Sequence, residues 1–360
     1  MNLKKLSMFL LAGALLFSVS SCKDDDDKKT RPSLNGYLDF FVPAYVKPEA
    51  KITMTPKGVE HPEGEELGYY WKVVPTMTSY DTTRFENGLD RLGNPSDGSF
   101  THTFSDTLKT YTVYAYAFAE GYTGSSNSDY CTVVSGGLEE SITNLHIKRL
   151  ASSKVAINGK TYYYVTLGSN DWMMTNMDDT KAGAPYYNCS AMSDVFGRYY
   201  SYEEALTICP EGWTLPTEAD WVALAKVAGA DKASEPYSNI SGIARKIMGN
   251  AYFNDVRMWE YWPAVGDINN QTGMSVIPAG FAMLGSKSAS PKEDPNIEGN
   301  YPNALFKGYM QYATFWTADV VAEEEGMAYY RYFICDQPNM MIGKADQKTF
   351  GASVRCIRRK

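Results

Sequence analysis

Histidine is scarce in this sequence, with only His61, His102 and His146 among 360 residues. None falls where the core of the C-terminal half is expected, so a histidine-dependent nucleophile or a histidine-ligated zinc is not expected there. The Gly-x₄-Gly-Lys-Ser/Thr loop that cradles phosphates, the Gly-x-Ser-x-Gly elbow and the His-Glu-x-x-His zinc pattern are missing too. Basic clusters are also lacking. Lys and Arg number 34 against 42 Asp and Glu, a net charge of −8. Binding a phosphate backbone needs concentrated positive charge, so no nucleic-acid partner is expected. Beyond the N-terminal segment there is no run of about 18 apolar residues, so no membrane-spanning segment is expected there. Glycosidase-type chemistry needs only two carboxylates at the right separation. Nothing in the sequence places a pair that way, and the chain is not expected to be an enzyme.

What is present starts at the N-terminus. Lys4 and Lys5 precede an apolar run from about Met8 to Val19, followed by Val19-Ser20-Ser21-Cys22. The run is too short for a permanent membrane helix and reads as a secretory signal over residues 1–21. With its terminal cysteine the segment resembles the lipobox of bacterial lipoproteins, which implies cleavage before Cys22 and acylation of its thiol. Each buried acyl CH₂ contributes about 0.8 kcal/mol, so two or more chains hold a protein on a membrane almost permanently. Lys23, four aspartates from Asp24 to Asp27, then Lys28 and Lys29 cannot pack, and residues 22–32 read as a hydrated tether. The acidic run also resembles the signal that sends Bacteroidetes-type lipoproteins to the outer cell surface. An outer-membrane, lipid-anchored and surface-facing protein is the resulting expectation.

The roughly 340 residues after the signal exceed one ordinary core and suggest two domains. Residues 33–137 read as all-β. Lys51–Thr55, Tyr69–Val74, Phe100–Phe104 and Thr110–Phe118 are rich in β-branched and aromatic residues and are separated by Gly, Pro, Asn and Asp clusters. Their order resembles an Ig-like or PKD-like β-sandwich acting as a spacer, with Trp71 in its core. Cys131 is the single cysteine in this half, so the cysteine pair of many Ig domains is absent. Ser135-Gly136-Gly137 reads as the hinge into the second domain.

From Val155 the pattern changes. Asn158-Gly159 between two strand-like runs predicts a hairpin. Ser201 with Glu204 forms a capping box opening a helix to about Ile208. Thr217 caps a second helix with Trp221, Leu224 and Ala228 on one face and Gly229 as its stop. A third helical run covers Ile240 to Met248. Three blocks here resemble the Fibrobacter succinogenes major paralogous domain: Gly159–Tyr162 with Asp171-Trp172-Met173 and Asn176-Met177; Gly197–Tyr202 with Cys209-Pro210-Glu211-Gly212-Trp213-Thr214-Leu215-Pro216-Thr217; and Ile277–Phe281 with Phe315-Trp316-Thr317 and Ser353–Arg358. The resemblance, over residues 145–360, implies an α+β C-type-lectin-like fold with long loops on one side. It also implies a Cys209–Cys356 disulfide, worth about 5 kcal/mol in the chain-entropy model. A second bridge between Cys189 and Cys335 is left open, since sequence does not fix connectivity.

Two sets of residues stand as ligand candidates. Tyr252, Trp259, Trp262, Asn269 and Asn270 combine aromatic faces with amides, which suits a sugar or a protein partner; Trp259 or Trp262 can equally fill the core. Asp294 with Asn296, and Asp336 with Asn339, offer oxygens suited to Ca²⁺, yet Asp, Pro and Asn are also turn formers. The Trp-Asn-Asp strand motif that accompanies such calcium sites is missing, and no cofactor is expected. The long polar stretch from Leu284 to Tyr312 is a further place for recognition. The sequence therefore points to non-enzymatic recognition of an extracellular glycan or protein. A carboxylate-dependent enzyme on surface polysaccharide and a structural subunit of a surface or pilus assembly are the alternatives.

Overall fold

The computed structural model describes residues 31–76, 91–94, 96–105, 109–134, 142–253, 256–260, 265–285, 301 and 303–360. Cys22, the acidic run and Ser135-Gly136-Gly137 lie outside them. No helix among the described residues is long and apolar enough to cross a membrane.

The first half is built of strands because its long runs alternate. In Thr110–Phe118 the side chains of Tyr111, Val113, Ala115 and Ala117 are buried on one face. That strand pairs antiparallel with Gly68–Pro75 and with Ser125–Val133. Tyr45–Val46 and Arg91–Leu92 complete a five-stranded sheet, Tyr45–Val46 running parallel to its neighbour. Two short ladders, Asn35–Asp39 with Lys57–Glu60 and Ala50–Met54 with Phe100–Phe104, supply further core residues. Trp71 is 1% exposed, meets Phe40 edge-on at 5.1 Å and donates its indole N–H to Gly98 O at 2.8 Å. It is a core residue, as its place in a middle strand suggested.

The second half mixes small sheets with short helices. Strands Ser153–Ile157 and Lys160–Leu167 form the hairpin, turning at Asn158 and Gly159, which both have positive φ as a two-residue primed turn requires. Asn170–Met173 extends this sheet and pairs with Ile357–Arg359 from the chain end. A meander of Tyr312–Val320, Met327–Ile334 and Met341–Asp346 lies beyond. Helix Tyr202–Thr207 starts in the expected box: Ser201 Oγ accepts the Glu204 N–H at 3.4 Å and the Glu204 carboxylate accepts the Ser201 N–H at 2.9 Å. Helix Glu218–Val227 starts the same way with Thr217 and Asp220. The expected helix from Ile240 to Met248 shrinks to Ala244–Ile247. Ile240 bridges Met340 and Met248 bridges Val276, so the backbone groups at both ends are taken by other partners.

Three features hold this half together. Cys209 and Cys356 are bonded, closing the loop after helix Tyr202–Thr207 onto the last strand across 147 residues. Trp213 and Leu215 of the Cys-Pro-Glu-Gly-Trp-Thr-Leu-Pro block are 6% and 5% exposed, so these two side chains of the block serve the core. Glu218, in the first turn of its helix, forms a fully buried ion pair with Arg331 on the central meander strand, with Arg331 Nε donating to Oε1 at 2.9 Å. The second bridge left open by the sequence is not formed. Cys189 and Cys335 are separate buried thiols, one donating to Tyr187 O at 3.4 Å and the other to Glu260 Oε2 at 3.8 Å.

The two halves touch. Tyr45 packs on Tyr186 and Tyr187 with ring centroids 6.1 and 6.0 Å away. Lys47 Nζ lies 2.9 Å from Asp194 Oδ2 on helix Ser190–Phe196. Val134, at the end of the first half, joins the core of the second.

Candidate functional site

The residues picked from sequence do not gather into one site. Trp259 is 1% exposed, with its indole N–H pointing to Val276 O at 3.3 Å; it fills the core and is not a binding residue. Burial wins because an indole removes more apolar area from water than almost any other side chain. Tyr252 is half-buried in the short strand Tyr252–Phe253. Asn270 holds its own loop, Nδ2 donating to Ser275 Oγ at 2.9 Å and Oδ1 accepting the Ser275 N–H at 2.9 Å. Asn269 Oδ1 accepts the Gln271 N–H in a local turn. Trp262, Asp294 and Asn296 lie outside the described residues. Asn339 Oδ1 accepts the Gly242 N–H at 3.2 Å, which makes it a loop staple. Asp336 belongs to no group of three or more His, Cys, Asp or Glu that could hold a metal among the described residues.

Polar groups converge elsewhere, beside the joint between the halves. A cavity of about 270 Å³ is lined by Lys160, Tyr162, Thr175, Asp178, Asp194 and Val195, among others. Lys160 stands directly after the hairpin turn, so its ammonium is delivered to the cavity by the tightest part of the sheet. It bonds Asp194 Oδ1 at 2.8 Å and also Asp178 Oδ2. Lys47, from the first half, holds the other oxygen of Asp194. The result is a chain of charges that crosses the joint.

Asp178 is the unusual member. Its side chain is 4% exposed, and its Oδ1 is buried with no hydrogen-bond partner among the described residues; Arg198 Nη1 stands 4.0 Å away. Its backbone N–H donates to Tyr162 Oη at 3.2 Å. Behind the cavity Asn176 is fixed at both ends of its amide. Nδ2 donates to Phe196 O and Ser353 Oγ, and Oδ1 accepts from Arg355 Nε at 3.0 Å. Gly197 lies at the rim with φ of 73°. A Cβ there would come within 2.6 Å of both Asn176 Cβ and Met177 O, so only glycine fits.

Two groups at the cavity hold one protonation state near neutral pH. Burial pushes the Asp194 carboxyl up, but hydrogen bonds from Lys160 and Lys47 outweigh it and leave the group below its ordinary value. Burial, then Asp179 and Asp194, push the Tyr162 phenol up to about 12. Near neutral pH the first is a fixed anion and the second a fixed O–H, whereas a general acid or base works best with its pKa near the operating pH.

Sequence reasoning passed over Lys160, Asp178 and Asp194 because isolated charges of this kind usually sit on a solvated face. One signal was available: Lys160 and Gly197 lie inside the blocks that resemble a known domain, and Asp178 directly follows Asn176-Met177. No curated protein sequence matches the chain. The model of the Fibrobacter succinogenes major domain matches residues 165–358, more than half of the chain, and covers the cavity apart from its Lys160–Tyr162 edge. The chain belongs to the Fibrobacter succinogenes major domain family.

Proposed function

We propose that this protein is a surface-anchored, non-enzymatic recognition protein of the outer membrane. A diacylated Cys22 and the acidic tether hold it, an Ig-like sandwich lifts it, and a C-type-lectin-like head binds an extracellular glycan or protein. The anchor is supported by the lipobox-like N-terminus, and the spacer by the strand order and buried Trp71 of the first half. The head reading is supported by the capped helices beside small sheets and by the family. The observation that carries recognition is the cavity at the joint, about 270 Å³ and lined by the linked charges of Lys160, Asp178 and Asp194. The binding locus accordingly moves from the aromatic cluster around Trp259 to the face bearing Lys160 and Asp178.

The test is a glycan and host-protein array probed with the mature chain. Saturable binding to at least one class of ligand is the expected result, and silence across both arrays would remove the reading. For the anchor, Cys22→Ser should move the protein from the membrane to the soluble fraction, and sedimentation with membranes would contradict it.

A further inference from the structure

We infer that Lys160 and Asp178 join covalently as the protein matures, forming an isopeptide bond between the side-chain nitrogen of one and the side-chain carboxyl of the other. This goes beyond the recognition reading and depends on no ligand.

Position comes first. Lys160 Nζ is in direct contact with Asp178 Oδ2, so the carboxyl carbon Cγ lies one bond beyond the atom it touches. The same nitrogen donates to Asp194 Oδ1 at 2.8 Å. Both partners are held in place. Lys160 heads the strand Lys160–Leu167, directly after the Asn158-Gly159 turn. The backbone of Asp178 is fixed by the Tyr162 hydroxyl, which accepts its N–H at 3.2 Å and donates to its carbonyl at 3.3 Å. Tyr162 stands on the same strand as Lys160, so one strand carries the nucleophile and the group that anchors the electrophile. An amine and a carboxyl held in contact have already lost the translational freedom that makes amide formation slow between separate molecules.

Environment comes next. The Asp178 side chain is 4% exposed, a setting in which a carboxylate charge is costly. Passing a proton from the Lys160 ammonium to Oδ2 cancels both charges and leaves an amine facing a carboxylic acid, the pair that amide formation requires. Asp178 Oδ1 has no hydrogen-bond partner among the described residues and faces Arg198 Nη1 at 4.0 Å, in a side chain 3% exposed. Negative charge appears on this oxygen when Nζ adds to Cγ. A buried guanidinium already beside it stabilises that charge with little reorganisation.

The step is redox-neutral and balances. Nζ bonds to Cγ, the Cγ–Oδ2 bond breaks, and Oδ2 leaves as water with the two protons that Nζ gives up. The first proton passes directly, and Asp194, bonded to the same nitrogen, carries the second. The Lys160 side chain is 38% exposed, which gives the water a way out. Burial raises Asp194, but hydrogen bonds from Lys160 and Lys47 outweigh it and hold the group below its ordinary value. It is therefore a slow relay, and a bond formed once per chain needs no turnover. Afterwards Asp194 keeps Lys47 and the new amide N–H as donors.

The test is tandem mass spectrometry of tryptic peptides from the mature chain, freshly purified and after overnight incubation near neutral pH. Trypsin does not cut after an acylated lysine. The expected product is therefore residues 155–181 uncut at Lys160, one water lighter than their sequence, with fragments that link Lys160 to Asp178. Lys160→Arg should restore the full mass and the cut at that position. Asp194→Ala should form the same link about a hundredfold more slowly. A wild-type peptide of full mass, cut after Lys160 before and after incubation, would overturn the inference whatever the variants do. So would loss of water with the cut retained, which marks an aspartate closing on its own backbone. A link from Lys160 to Asp194, or a water loss that persists in Lys160→Arg, would overturn it too. An Asp194→Ala chain linked at the wild-type rate would overturn the relay assigned to Asp194.

Discussion

Replacing Arg331 by Met should destabilise the protein by about 3–5 kcal/mol, the cost of leaving a buried charge without its partner. Arg331 and Glu218 have side chains with 0% exposure. The guanidinium gives Nε to Glu218 Oε1 at 2.9 Å, Nη2 to Oε2, and Nη1 to Ser238 O at 2.7 Å. Removing it leaves Glu218 with the Tyr237 N–H at 3.0 Å and strips the Ser238 carbonyl of this donor. Against a total stability of about 5–15 kcal/mol this is a large fraction. The double variant Glu218→Leu/Arg331→Met removes both charges, and buried pairs replaced by apolar residues are often neutral. It should therefore be more stable than Arg331→Met alone. Urea denaturation followed by tryptophan fluorescence reads both effects as midpoint shifts at constant slope. A change within about 1 kcal/mol for the single variant, or a double variant less stable than the single one, would refute the reasoning.

Other perturbations test separate parts of the structure. Breaking Cys209–Cys356 by a double substitution to alanine should lower stability by up to about 5 kcal/mol for so long a closed loop, with thermal melting as the measurement. Ser201→Ala and Thr217→Ala should each cost about 1 kcal/mol by removing an N-cap, and should add because the two caps serve different helices. For pH, burial raises Asp194 and Asp220, but Lys160 with Lys47 and Arg359 with Thr217 outweigh it, leaving both folded values below the ordinary 3.8. Groups depressed in this way contribute stability that is complete above the unfolded value and is lost as pH falls through the folded one. Urea midpoints should therefore hold from neutrality to about pH 5 and fall below it, less steeply in Asp194→Asn. Gly197→Ala should cost about 1–3 kcal/mol through its left-handed backbone and the contact with Asn176, and should weaken any ligand of the cavity.

Local signals in the sequence carried well into the structure. Asn158-Gly159 and the boxes at Ser201 and Thr217 act within four residues, so no distant partner was needed to read them. The Cys209–Cys356 pairing followed from a resemblance and not from local chemistry. Trp259 shows the opposite case. An aromatic next to amides reads the same whether it faces solvent or core, and only the packing of the folded chain decides. Ile240–Met248 looked helical until Met340 and Val276 arrived from elsewhere in the chain to bond its ends. The cavity was hardest to see. Its charges come from a hairpin, a loop, a helix and, through Lys47, the other half of the chain, with no spacing to link them.

The central claim is that recognition resides at the joint cavity and not on the loops between residues 250 and 310. Methyl-labelled NMR of the mature chain, titrated with a ligand that binds it on the arrays, tests this most directly. The account expects the largest shifts at the methyls of Thr175 and Val195, with Thr161 following and Ile268 and Ile277 unmoved. Shifts centred on Ile268 and Ile277 with Thr175 and Val195 silent would contradict it.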